Sequence, residues 1–112
     1  MTDTAWKAWE RKVAAIFGGK RRGAYTGSAQ GGRSDVIKAG WSIECKLLSR
    51  PGFADLLAAA EQAERNAEKP DDIPVAVVKR KGEAITQALV VMRLERFVEF
   101  FVDGEINDLP KP

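Results

Sequence analysis

Residues 34–46 read Ser34-Asp35-Val36-Ile37-Lys38-Ala39-Gly40-Trp41-Ser42-Ile43-Glu44-Cys45-Lys46. Two short runs flank Ala39-Gly40, where glycine's tolerance of positive φ gives the chain a place to reverse. The stretch is therefore expected to fold as a β-hairpin. Side chains alternate along a strand, so Ser42, Glu44 and Lys46 share one face while Trp41, Ile43 and Cys45 share the other. The second set is apolar and suited to a core. The first puts a carboxylate beside an ammonium, and folding back brings Asp35 toward Glu44. Two carboxylates and a lysine at one strand edge make a candidate divalent-metal site. The competing reading is a salt-bridge cluster on an exposed sheet face, where each pair contributes only about 0–1 kcal/mol.

The rest of the composition narrows the chemistry. With 112 residues there is room for a single domain, residues 1–112, with a real core and few accessory parts. There is no histidine, which removes His-based triads and the common zinc sites and leaves carboxylates with hard cations such as Mg²⁺ or Mn²⁺. The lone Cys45 can form no internal disulfide, which fits a reducing cytoplasm. No apolar run approaches the roughly 20 residues of a membrane span, so no membrane partner is expected. Net charge is +2 but uneven. Residues 1–50 carry ten Lys and Arg against four Asp and Glu, and residues 51–112 carry eight against twelve. Lys20, Arg21, Arg22, Arg33 and Lys38 cluster around the candidate site, where a phosphate backbone would be drawn.

Upstream of the hairpin, Trp6, Trp9, Val13, Ile16 and Phe17 form an apolar stripe that marks a helix over residues 4–17, ended by Gly18-Gly19. Glu10 falls on or beside that stripe. A carboxylate there is costly unless paired or bound to metal, and a Lys or Arg partner at the helix edge would serve equally well. Residues 23–34 are rich in Gly and small polar residues and read as a loop, with a short strand possible only at Ala24-Tyr25. The loop lacks the Lys-Ser/Thr ending of a phosphate-binding P-loop, so no nucleotide cofactor is expected.

Downstream, Arg50-Pro51-Gly52 breaks the chain before a helix from about Ala54 to Glu68, whose face of Leu56, Leu57, Ala60, Ala63 and Ala67 is suited to close packing on a sheet. Pro70-Asp71-Asp72 reads as a turn. Ile73 to Val78 and Ala88 to Met92 read as strands joined through a basic tip, Lys79-Arg80-Lys81. Leu94 to Phe101 reads as a final helix, and residues 103–112 as a frayed tail. The order of helix, hairpin, helix, two strands and helix implies an α/β fold (α+β by some conventions), a mixed β-sheet flanked by helices.

The ordered set of Gly32-Arg33-Ser34-Asp35-Val36, then Ile43-Glu44-Cys45-Lys46, with a helix bearing Glu10 before it and a helix bearing Glu61-Gln62-Ala63-Glu64 after it, resembles the PD-(D/E)XK nuclease superfamily, in its Holliday-junction-resolvase-like branch. The resemblance runs from about residue 5 to about residue 100. Ser34 stands where the family's name has Pro. The resemblance implies a restriction-endonuclease-like core and metal-dependent hydrolysis of DNA phosphodiester bonds. It implies Asp35, Glu44, the backbone carbonyl of Cys45 and Glu10 as ligands of Mg²⁺, with Mn²⁺ able to substitute. Lys46 would position water and offset charge on the phosphate. Gln62 would be an accessory group, and Lys20, Arg21, Arg22, Arg33, Lys79 and Arg80 would touch DNA. A symmetric junction needs two coordinated cuts, so a homodimer is implied, using the last strand or the helix with Phe97, Phe100 and Phe101. Alternatives are another nuclease on the same core (nicking, repair or restriction-like) and a non-catalytic nucleic-acid-binding domain.

Overall fold

The computed structural model describes residues 5–23 and 34–102. Helix α1 (Ala5–Phe17) is followed by strands β1 (Lys20–Arg21), β2 (Val36–Ile37) and β3 (Trp41–Leu48). Helix α2 (Phe53–Arg65), strand β4 (Ile73–Arg80), a 3-10 turn (Ile85–Gln87), strand β5 (Leu89–Val91) and helix α3 (Leu94–Phe101) complete the order. The strands form one sheet in sequence order, antiparallel throughout except that β3 and β4 run parallel. This is the expected α/β architecture, a mixed sheet flanked by helices. Among the described residues, no helix is long and apolar enough to cross a membrane.

The hairpin forms as its residues require. Gly40 takes φ +85°, and Trp41 N–H donates to the Lys38 carbonyl across the turn. Val36 pairs with Ile43, and Asp35 N–H donates to the Ile43 carbonyl, so the ladder ends at Asp35. The parallel partner of β3 is reached through α2, the crossover that parallel strands need. The strands joined this way are covered on both faces, which explains continuous burial from Ser42 to Cys45 and from Pro74 to Val78. On one face, Trp9 and Val13 of α1 meet Val36, Ile43, Cys45, Val75 and Val77. On the other, Ala59 of α2 meets Ala76 and Val78. The small residues of α2 let it lie close, and Ser42 Oγ donates to the Ala63 carbonyl at 2.7 Å.

Two expectations need correction. Lys20-Arg21, where the sequence predicts no strand, is an edge strand paired with β2. Gly18 at φ +71° ends α1, and a Cβ on Gly19 would stand 2.5 Å from the Ile37 carbonyl oxygen, so the chain turns straight from helix into sheet. Trp6 and Ile16, placed on the buried stripe, are 49% and 64% exposed, because α1 presents a narrower seam of Trp9, Glu10, Val13 and Ala14. The possible strand at Ala24-Tyr25, Arg33 and the tail of residues 103–112 lie outside the described residues.

Candidate functional site

Asp35 enters β2 half-buried, and its Oδ2 accepts the Cys45 N–H at 2.8 Å. That bond caps the strand edge where the β2–β3 ladder stops. It also ties the Asp35 carboxylate to the residue next to Glu44. Glu44 itself is 1% exposed, so the exposed-face salt-bridge reading does not hold for it. Its carboxyl group meets that of Asp35, and Asn66 Nδ2 donates to its Oε2 at 2.9 Å.

Burial is the largest influence on Glu44 and the neighbouring Asp35 charge the next; together they push its pKa up from 4.5 to about 7. The Asn66 hydrogen bond and the charge of Lys46 pull the other way. Cys45 presents its backbone, since burial and the charges of Asp35, Glu10 and Glu44 push its thiol strongly up and keep it neutral. Within a strand, the N–H and C=O of one residue point to the same side, so the Cys45 carbonyl is directed to the Asp35 edge.

Glu10 is buried on α1, as the stripe implies, but its partner is a cation. Arg21 Nε lies 2.7 Å from Glu10 Oε1, and its guanidinium also sits over the Trp6 ring. Burial raises the Glu10 pKa, the Arg21 hydrogen bond lowers it, and the Asp35 charge raises it again, which places Glu10 within electrostatic reach of the pair. Lys46, half-buried, lies within electrostatic reach of both Glu10 and Glu44.

The other expected contacts divide. Arg22 Nε donates to the Ser34 carbonyl at 2.6 Å, beside the pair. Lys20 is exposed on β1. A groove of about 290 Å³ runs past this edge, lined by Arg22, Ser34, Lys38, Asn66 and Lys69 among others. Lys79 and Arg80 lie elsewhere: Lys79 sits over the Trp9 ring, and Arg80 is ion-paired with Glu83 at the far end of β4. Gln62 is half-buried on α2, and its backbone carbonyl accepts the Asn66 N–H. Asp72 is a loop residue, as its Pro70-Asp71-Asp72 setting implied, accepting the N–H groups of Glu68 and Lys69.

The side chain that reaches Glu44 from α2 is thus Asn66, which sequence reasoning missed. The helix expected to run to about Glu68 ends at Arg65 with Asn66 as its C-cap, and only the spacing of four from Gln62 hinted that a polar group one turn later could face the strand.

Among the described residues, no group of three or more His, Cys, Asp or Glu side chains gathers closely enough to hold a metal ion. The residues that do converge are two carboxylates and a carbonyl, all oxygen donors of the kind Mg²⁺ prefers. Mg²⁺ binds through one or two carboxylates and keeps several waters, so this set fits it without a third acidic side chain. No family model, curated protein or solved structure matches the chain.

Proposed function

We propose that this protein is a metal-dependent DNA endonuclease of PD-(D/E)XK type, in which Asp35 and Glu44 hold Mg²⁺ or Mn²⁺. The observation that carries the reading is the sealed Glu44 carboxyl meeting that of Asp35 at the strand edge. Such a pair is costly as structure. A divalent ion removes the cost, and when bound it polarises a phosphodiester and lowers the pKa of attacking water.

The chain's own groups then have distinct tasks. Asp35 and Glu44 hold charge at the strand edge, and the Cys45 carbonyl faces the same edge. Lys46 offsets charge that builds on the phosphate and orients the water near it. Arg22, Lys38 and Lys69 line the adjoining groove and give a nucleic-acid backbone a path past the pair. The structure-selective, Holliday-junction-resolvase-like form of the reading asks for a two-fold dimer. Leu89 and Val90 on the edge strand β5, with Leu94 and Phe97 on α3, are exposed apolar side chains that support one.

The test is cleavage of labelled four-way junction, Y-fork, linear duplex and single-stranded DNA with Mg²⁺, Mn²⁺ or EDTA, with Asp35→Ala as control. Metal-dependent cuts lost in the variant are expected, symmetric and junction-specific if the resolvase form is right. Binding without metal-dependent cutting of any substrate would sink the nuclease reading.

A further inference from the structure

The C-terminal end of α2 carries a contact that helix termination does not require. Asn66 closes the helix through its backbone, whose N–H donates to the Gln62 carbonyl at 2.9 Å. Its side chain is free of that task. It turns to the sheet and donates Nδ2 to Glu44 Oε2, across 22 positions of sequence. The helix end is pinned for this purpose three residues earlier, where the Ala63 carbonyl accepts Ser42 Oγ, and Ser42 lies two residues before Glu44 on the same strand face. Ala59, Ala60 and Ala63, all buried, keep bulk out of the way so that α2 can come this close.

An amide suits the position in a way other donors would not. A Lys or Arg there would neutralise Glu44 and compete with any cation for it. A hydrophobic residue would leave one oxygen of a sealed carboxyl without a partner. The asparagine amide donates without adding charge. It fixes the rotation of the carboxyl group by engaging Oε2. Outer hydrogen bonds of this kind orient metal-binding carboxylates, and losing one typically costs about 10–100-fold in metal affinity.

We propose that Asn66 is a positioning residue for Glu44, holding its carboxylate in the orientation in which it and Asp35 take a divalent cation. The inference rests on the reading of Asp35 and Glu44 as ligands. Asn66 lines the groove beside the pair, and its amide reaches the ligands through Glu44.

The experiment is Mn²⁺ titration by calorimetry of the full-length protein and its Asn66→Leu and Asn66→Ala variants, with Glu44→Gln as the ligand control. Leu keeps the bulk, and Ala carries the test if Leu impairs folding. Expected is an Mn²⁺ dissociation constant raised about 10–100-fold. In cleavage, kcat at low Mn²⁺ falls and recovers at saturating Mn²⁺. A folded Asn66 variant with Mn²⁺ affinity within about twofold of wild type overturns the inference while leaving the ligands standing. Wild-type protein that binds no Mn²⁺, with Glu44→Gln indistinguishable from it, overturns the ligand reading and this inference with it.

Discussion

A carboxylic acid removed from water keeps its proton unless something nearby favours the charge. Glu44 has burial and Asp35 acting against ionisation, with Asn66 and Lys46 acting for it, and the balance leaves its pKa near 7. Its folded value thus lies above the 4.5 of the unfolded chain, so its contribution to stability is fully present below about pH 4.5. That contribution is lost as pH rises through about 7. Metal-free protein should therefore become less stable across this window, by a total on the order of 1–3 kcal/mol from this group. Glu44→Gln keeps an acceptor for Asn66 and removes the titration. It should match wild type near pH 4.5 and exceed it at pH 8 in urea melts. Parallel curves for the two proteins from pH 4.5 to 8 would show that Glu44 ionises as if exposed. Mg²⁺ or Mn²⁺ should restore the wild type at pH 8, by about 1.4 kcal/mol for each tenfold excess over its dissociation constant, and leave Glu44→Gln unmoved.

At the scale of elements, what a sequence makes legible is what its local period and turns encode. The hairpin could be read because Gly40 and the alternation around Glu44 are both local, and so the adjacency of Asp35 and Glu44 could be read too. The partners of the acidic groups could not. Arg21 reaches Glu10 only because two residues of the basic run pair with β2, and nothing in Lys20-Arg21 resembles a strand by composition. Asn66 reaches Glu44 only because α2 lies close to β3. The joint between α1 and β1 shows how one residue decides such placement. Gly19→Ala would drive a Cβ to 2.5 Å from the backbone oxygen of Ile37, with the Val36 side chain at 3.0 Å, and backbone cannot rotate away as a side chain can. A loss of about 1–3 kcal/mol is expected, read as a lowered urea midpoint with unchanged slope. Because β1 carries Arg21, the same variant should loosen the Glu10 ion pair. A Gly19→Ala protein as stable as wild type would mean that the helix-to-strand turn has slack the close approach denies.

Across the whole molecule, the charge asymmetry of the sequence becomes an asymmetry of use. The acidic second half is largely occupied with itself: Arg93 holds Glu61 and Glu64, Arg96 holds Glu95 and Glu99, and Arg80 holds Glu83. The cations near the Asp35 edge are placed differently. Lys20 stands exposed on β1, and Lys38 lines the groove beside Arg22. Arg80 lies four residues along β4 from Ala76, the register partner of Glu44, which is about 13 Å at a strand rise of 3.3 Å per residue. A backbone drawn past the carboxylate pair would meet the first set and pass the second. Lys20→Gln combined with Lys38→Gln should therefore weaken duplex DNA binding in EDTA and lower the slope of log affinity against log salt by about two. Arg80→Gln should leave the slope within error of wild type, since its charge is already spent on Glu83. If Arg80→Gln flattens the slope and the lysine pair does not, DNA runs over the β4 end of the sheet, away from Asp35 and Glu44. The pair would then be a buried acid pair and not a place where phosphodiesters are cut.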